Sequence, residues 1–253
     1  MVYQSLTDVP QNLKEGIDWL IALKGDDPQH FLQAMGTALH ELLSSYPAGL
    51  TRLPALEKIK PTTKKFLQQK ELQDQPFVEI LLERFHKPLK RDFTTVPMCD
   101  GHIVESTNTN VVVARRVTPR SIAKSIGEVV DVAEKFLEGI KETDGYVSVY
   151  GEDATWIDSC LEDPEACAVV FVGIAPMLYA GLRTLRKVSA AAVKQGPDSD
   201  AAKHLGPIIK ALGFDDGVCR DDLSAPAIRN ALRGINPRIL TIIYDIAGFL
   251  AFY

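Results

Sequence analysis

From Pro164 to about Lys194 the chain carries one continuous helical pattern, and the first half of it, Ala166 to Leu182, is almost wholly apolar. A helix that is apolar all round has to be covered all round, by protein or by lipid. The run is about 17 residues, at the short edge of what spans a bilayer. It also contains Gly173 and Pro176 and closes on Arg183, Arg186 and Lys187. A buried core helix is therefore the expectation, with no transmembrane segment. The three closing cations form a basic patch at helical spacing, or snorkel from the end of the apolar helix.

Other stretches read as helices from their start and stop signals. Leu13, Ile17 and Leu20 recur at helical spacing, with Trp19 and Leu23 broadening the same apolar side. Asn12 is placed to cap this helix, Glu15 follows three residues on as in a capping box, and Gly25 suits a left-handed stop. A second helix is expected from Pro28 to about Ser45, where Tyr46-Pro47-Ala48-Gly49 ends it. Residues 50–61 look irregular, and shorter helices are expected from Thr62 to Lys70 and from Gln75 to Phe85, the latter with Phe77, Ile80, Leu81 and Phe85 on one side. Thr118-Pro119 opens a helix with a broad apolar face from Ile122 to Ile140, expected to end near Thr143-Asp144-Gly145. The segment from Tyr146 to Leu161 is expected to be helical in its second half. Ser199 to Leu212, Ser224 to Leu232 and Pro237 to about Phe252 complete the set.

Between Asp92 and Thr118 the pattern changes. Ile103-Val104 and Val111-Val112-Val113 are β-branched pieces separated by the turn-rich Glu105 to Asn110, which suits a small β-hairpin or a long surface excursion. The expected fold class is all-α, a multi-helix bundle-like domain with this one nonhelical excursion. The chain of 253 residues is read as a single helical domain over 1–253, with packed subregions 1–91 and 119–253 joined by 92–118.

Charge and cysteine usage narrow the function only slightly. A formal net charge of -5 gives no global reason for a polyanionic partner, and no nucleic acid is expected. Cys99, Cys160, Cys167 and Cys219 allow up to two disulfides in three pairings. Cys160 and Cys167 flank Pro164 and would meet if the chain turns back there, which would suit an extracellular protein. The alternative is four reduced, partly buried thiols. Their spacing lacks the paired knuckles of a structural zinc site.

No motif demands catalysis. His40-Glu41-Leu42-Leu43-Ser44 starts like a zinc-protease helix but has serine where the second ligand must stand, so His40 reads as a surface or interfacial residue. Nucleophile elbows, phosphate loops and dinucleotide fingerprints are missing from the sequence. The acidic groups around Asp215, Asp216, Asp221, Asp222, Glu162, Asp163 and Glu165 read as solvated faces and helix caps. Asp18 reads as a helix-surface charge. No catalytic residue, cofactor or metal is expected, and the chain is not expected to be an enzyme.

The clearest local basic patch is Arg115, Arg116, Arg120 and Lys124. Arg120 and Lys124 lie four residues apart on one helix face. Such a patch suits a sulfated glycan, an acidic lipid surface or an acidic protein, against the plainer reading of a solvated positive face.

Leu13-Lys14-Glu15-Gly16-Ile17-Asp18-Trp19-Leu20-Ile21-Ala22-Leu23-Lys24-Gly25 resembles the N-terminal "LKEAIDWLLRLTGKDG" segment of the variant erythrocyte surface antigens of Babesia and related multigene families of piroplasm parasites. Gly16 replaces the alanine of that pattern, and Asp26-Asp27 carry its acidic end. Phe171 to Tyr179 and Leu212-Gly213-Phe214 are weaker echoes, so the resemblance spans about a third of the chain. It implies a protein that is secreted, exported or at the surface of the infected erythrocyte, acting in adhesion or antigenic variation. Its partners would be a host erythrocyte receptor, glycan or protein, or parasite surface proteins. Members are similar to large, cysteine-rich surface or exported proteins, whereas this chain has few cysteines and is expected to carry no terminal membrane anchor. The expectation is accordingly an ectodomain fragment, a smaller secreted relative or a divergent cousin. An assembly role in a parasite surface or exported complex is the nearest rival, and a helical enzyme with a dispersed site a distant third.

Overall fold

The computed structural model describes residues 2–46, 52–86, 112, 116–215, 217–220, 222–247 and 252–253. Its elements are α1 (Leu13–Lys24), α2 (Pro28–Ser45), α3 (Pro54–Leu67), α4 (Lys70–Gln73), α5 (Pro76–Arg84) and α6 (Pro119–Ile140), followed by α7 (Trp156–Cys160), α8 (Pro164–Gln195), α9 (Asp200–Ala211), α10 (Ala225–Ala231) and α11 (Pro237–Ile246). This is an all-α, multi-helix bundle-like domain. Among the described residues there is no β-sheet, only isolated bridges joining Tyr3 to Tyr150 and Lys141 to Cys219. The hairpin expected over 92–118 falls almost entirely outside the described residues.

The long apolar helix organises the bundle. Every residue of α8 from Cys167 to Leu178 is buried, and α1, α2, α3, α9, α10 and α11 pack around it. By length and composition α8 is able to cross a membrane. In this structure its apolar surface is covered by helices instead, with Trp19 of α1 against Phe171 at a ring separation of 6.2 Å.

Pro176 sits inside α8 and supplies no N–H to Val172, so carbonyls of the preceding turn lose helical partners. In a dry core these need other donors. Thr63 of α3 donates its hydroxyl to the Gly173 carbonyl at 2.6 Å, and Tyr253 donates its phenol toward the Val172 and Gly173 carbonyls at 3.1 and 3.4 Å. Lys60 holds the same end of the chain, donating to the Phe252 carbonyl at 2.7 Å and to Glu57 at 2.6 Å.

The helix starts follow the capping residues. Asn12, Asp27, Thr118, Asp163, Ser199 and Asn236 each accept a hydrogen bond from the third residue of their helix. Glu15 differs from the expected box: its carboxylate accepts from the Gln11 N–H at 2.7 Å and from the Tyr3 hydroxyl at 3.0 Å, which ties down the N-terminal segment. Gly25 ends α1 at φ 51° as expected.

Several boundaries and faces correct the sequence reading. α3 begins at Pro54 and runs through Pro61, within the stretch expected to be irregular; Pro61 is exposed, so water can serve the carbonyl it leaves unbonded. Thr62 to Lys70 is therefore not a separate helix. Ile80 is 54% exposed while Val78 and Arg84 turn inward, so the buried side of α5 is rotated from the one expected. α6 stops at Ile140, before Thr143, because Lys141 turns extended and the Glu142 N–H donates to the Val218 carbonyl. α11 is described to Ile246, and most of the stretch from there to its expected end near Phe252, residues 248–251, lies outside the described residues.

Candidate functional site

The basic patch is built on a close contact between α2 and α6. A Cβ on Gly36 of α2 would lie 2.6 Å from the Pro119 carbonyl oxygen and 2.7 Å from the Ala123 Cβ, so only glycine lets the start of α6 lie this close. Thr118 and Ser121 complete a reciprocal capping box at 3.0 and 3.1 Å. His40 of α2 contacts the Val117 carbonyl through Nε2 at 3.2 Å, the interfacial role expected of it. These contacts fix the direction in which the first turn of α6 projects.

Arg116, Arg120 and Lys124 are all exposed there, and none forms an ion pair with a described carboxylate. Arg116 has φ 52°, a left-handed backbone uncommon for a residue with a side chain. Arg115 lies outside the described residues. Farther along α6 the carboxylates are met by cations of other elements: Lys24 meets Asp131 and Glu134 at 3.2 and 2.6 Å, Arg238 meets Glu128 at 2.7 Å, and Lys141 meets Glu138 at 2.6 Å, while exposed Lys135 has no carboxylate partner among the described residues. Arg116, Arg120 and Lys124 are thus grouped without a carboxylate where α6 begins.

In the second basic group, Arg183 and Lys187 are taken up by their neighbours. The Arg183 guanidinium lies 4.4 Å from the Phe77 ring centroid and donates to the Tyr179 hydroxyl, so it is spent on aromatic side chains. Lys187 donates to Gln75 at 2.8 Å.

Asp18 is the clearest correction. It is 2% exposed, not a surface charge. Its carboxylate pairs with Lys14 at 2.9 Å and accepts from the Tyr146 hydroxyl and from the Val149 N–H at 3.0 Å. Lys14 also donates to the Val147 carbonyl at 2.8 Å and lies 4.8 Å from the Tyr146 ring centroid. Burial, then the Asp18 carboxylate, pushes the Tyr146 phenol well above the ordinary tyrosine range. Burial and Glu15 push Tyr3 up to about 12. The Tyr150 hydroxyl donates to the Asp8 carbonyl at 2.6 Å, and the Trp19 indole donates to the Leu6 carbonyl at 2.7 Å. This network spends its donors and acceptors on the chain itself, stitching residues 3–8 and 146–150 onto α1. No sequence period could reveal it, because Tyr146, Val147, Val149 and Tyr150 reach α1 and the N-terminal segment from more than a hundred residues away.

Cys160 and Cys167 are joined by a disulfide, with Cα atoms 5.9 Å apart, across the turn between α7 and α8. Both are fully buried. Cys219 is a free thiol that burial pushes up to about 11, and Cys99 lies outside the described residues. No group of three or more metal-ligating side chains occurs among the described residues.

Comparison with protein-family models, curated proteins and solved structures finds no match to this chain.

Proposed function

We propose that this chain is a non-catalytic host-interaction domain, exported or displayed by an intraerythrocytic parasite of the piroplasm kind, that engages the erythrocyte surface and contributes to adhesion or antigenic variation. The observation that carries the reading is the exposed, carboxylate-free row of Arg116, Arg120 and Lys124 on a rigid helix start. Cations projecting from a fixed helix start recognise an anionic partner through charge complementarity. The Cys160–Cys167 disulfide supports maturation in an oxidising compartment. The resemblance of Leu13 to Gly25 supplies the parasite assignment. In this reading α8 is a core helix, and nucleic acid is not a partner.

Binding of fluorescently labelled, folded protein to intact erythrocytes tests the proposal. Saturable binding that is lost when Arg116, Arg120 and Lys124 are replaced by glutamate is the expected result. Absence of saturable binding by the unmodified protein overturns it.

One observation favours the rival reading of assembly with parasite components. Val2, Val147, Ile157 and Leu161 are each more than half exposed, at 54%, 73%, 56% and 55%. All belong to the N-terminal segment, the residues paired with it, and α7. A contiguous apolar patch formed by such side chains would mark a protein contact. Co-purification of parasite proteins that disappears with Val147→Asp and Ile157→Asp, alongside intact erythrocyte binding, would separate the two surfaces.

A further inference from the structure

A second concentration of positive charge runs along α3 and the residues at its two ends, outside the patch discussed above. From Arg52 to Lys70 the chain carries Arg52, Lys58, Lys60, Lys64, Lys65 and Lys70 against the single carboxylate of Glu57. The remainder must then be more acidic than the whole, which is -5. Lys141 and Arg183, for example, bracket a stretch with no lysine or arginine. Glu57 is taken by Lys60, which is buried beneath the helix. Arg52, Lys58, Lys65 and Lys70 are exposed, and among the described residues none of them has a carboxylate partner.

Lys58 and Lys65 are seven residues apart on one face of α3, about 10.5 Å along the axis. Exposed Pro61 lies between them, so no side-chain carboxylate interrupts the row. Like charges along a helix repel, and an external anion relieves that repulsion. What else the surface lacks decides the kind of anion. Leu56, Ile59, Phe66 and Leu67 all point into the core, so α3 keeps no apolar face for a membrane and no apolar anchor for a protein interface. Its one aromatic residue, Phe66, is buried, so no base-stacking platform exists there for single-stranded nucleic acid. Lysine ammonium groups also act as point charges without arginine's bidentate fork. A hydrated linear polymer read through its charges alone fits such a face.

We infer that the outward face of α3, carried by Lys58 and Lys65 with Arg52 just before the helix and Lys70 just after it, binds a sulfated polysaccharide. This deepens the host-interaction reading, and rests on it, by naming the anion and a larger surface for it. The test is heparin affinity over a series of salt concentrations for the full chain, for Lys58→Gln/Lys65→Gln and for Arg116→Gln/Arg120→Gln/Lys124→Gln. Each lost contact should lower the slope of log affinity against log salt by about 0.7–0.9, so the α3 variant should lose roughly 1.4–1.8 in slope. Circular dichroism checks the fold of the variants, whose altered side chains are exposed.

An unchanged slope in the α3 variant overturns the inference. So does tighter, Lys58- and Lys65-dependent binding to duplex DNA or to phosphatidylserine vesicles than to heparin, which would assign the face to a different anion. Heparin retention through α3 without erythrocyte binding would uphold the polysaccharide site while removing the host-cell reading, so the two claims fail separately.

Discussion

Replacing Asp18 by asparagine tests whether the buried network on α1 holds the N-terminal half together. The change keeps size and shape but removes the charge opposite Lys14, whose side chain is 8% exposed. The ammonium would keep only the Val147 carbonyl at 2.8 Å and the Tyr146 ring face. Leaving one member of a buried ion pair without its partner costs about 3–5 kcal/mol. For a chain of this size that is roughly 6–10 °C in Tm, using about 2 °C per kcal/mol. Adding Lys14→Met removes the stranded charge while filling the volume of its stem. The introduced amide can then accept from the Val149 N–H and donate to the Tyr146 oxygen, so the double variant should lose less than about 2 kcal/mol. Urea unfolding followed by tryptophan fluorescence and by circular dichroism, with coincident transitions, gives each corner of the cycle. A loss below about 1 kcal/mol in Asp18→Asn, or additive losses in the double variant, would show that Asp18 and Lys14 are not coupled in the folded state.

Thr63→Val should cost about 1–3 kcal/mol in the same assay, because it leaves the Gly173 carbonyl near Pro176 with only the longer contact from the Tyr253 phenol at 3.4 Å; a neutral change would mean that the Thr63 bond adds nothing to the fold. Gly36→Ala should destabilise by roughly 1–3 kcal/mol despite alanine's better helix propensity, since the new methyl must displace the Pro119 carbonyl and Ala123, and a stabilised variant would refute the tight α2–α6 contact. Alkali should unfold the domain through its tyrosines. Tyr3, Tyr146 and Tyr150 hold their protons more tightly folded than unfolded, so their contribution is complete below about pH 10 and fades as pH rises beyond it, through about 12 for Tyr3. Absorbance titration at high pH should show them ionising together with unfolding; free ionisation near pH 10 in the folded protein would contradict their burial.

Much of the fold is legible in the sequence because local signals agree with one another. Thr118-Pro119, Asp163-Pro164 and Asn236-Pro237 each combine a capping side chain with a first-turn proline, and each starts a helix where expected. The all-α class follows from such helices repeating along the chain. α3 escapes the local rules because Pro61 is a breaker by those rules, and only the solvent exposure of its outer face makes it tolerable. An irregular 50–61 also hides the lysine row of α3, which becomes a face only when the helix is continuous. Asp18 and Arg183 read as surface charges because an i,i+4 Lys–Asp pair and a basic helix end usually are; Tyr146, Val149 and Phe77, brought in from distant parts of the chain, turn both inward. Of the patch itself, the exposure of Arg116, Arg120 and Lys124 is legible from the charge pattern, whereas its footing on Gly36 is not.

The claim that this is a secreted or exported recognition domain turns most directly on the state of two cysteines in the cell. Protein taken from its native source, alkylated at once and digested without reduction, should give the Cys160 and Cys167 peptides as one linked species, with Cys219 alkylated as a free thiol. Recovery of Cys160 and Cys167 as separately alkylated peptides would place the chain in a reducing compartment and contradict the account.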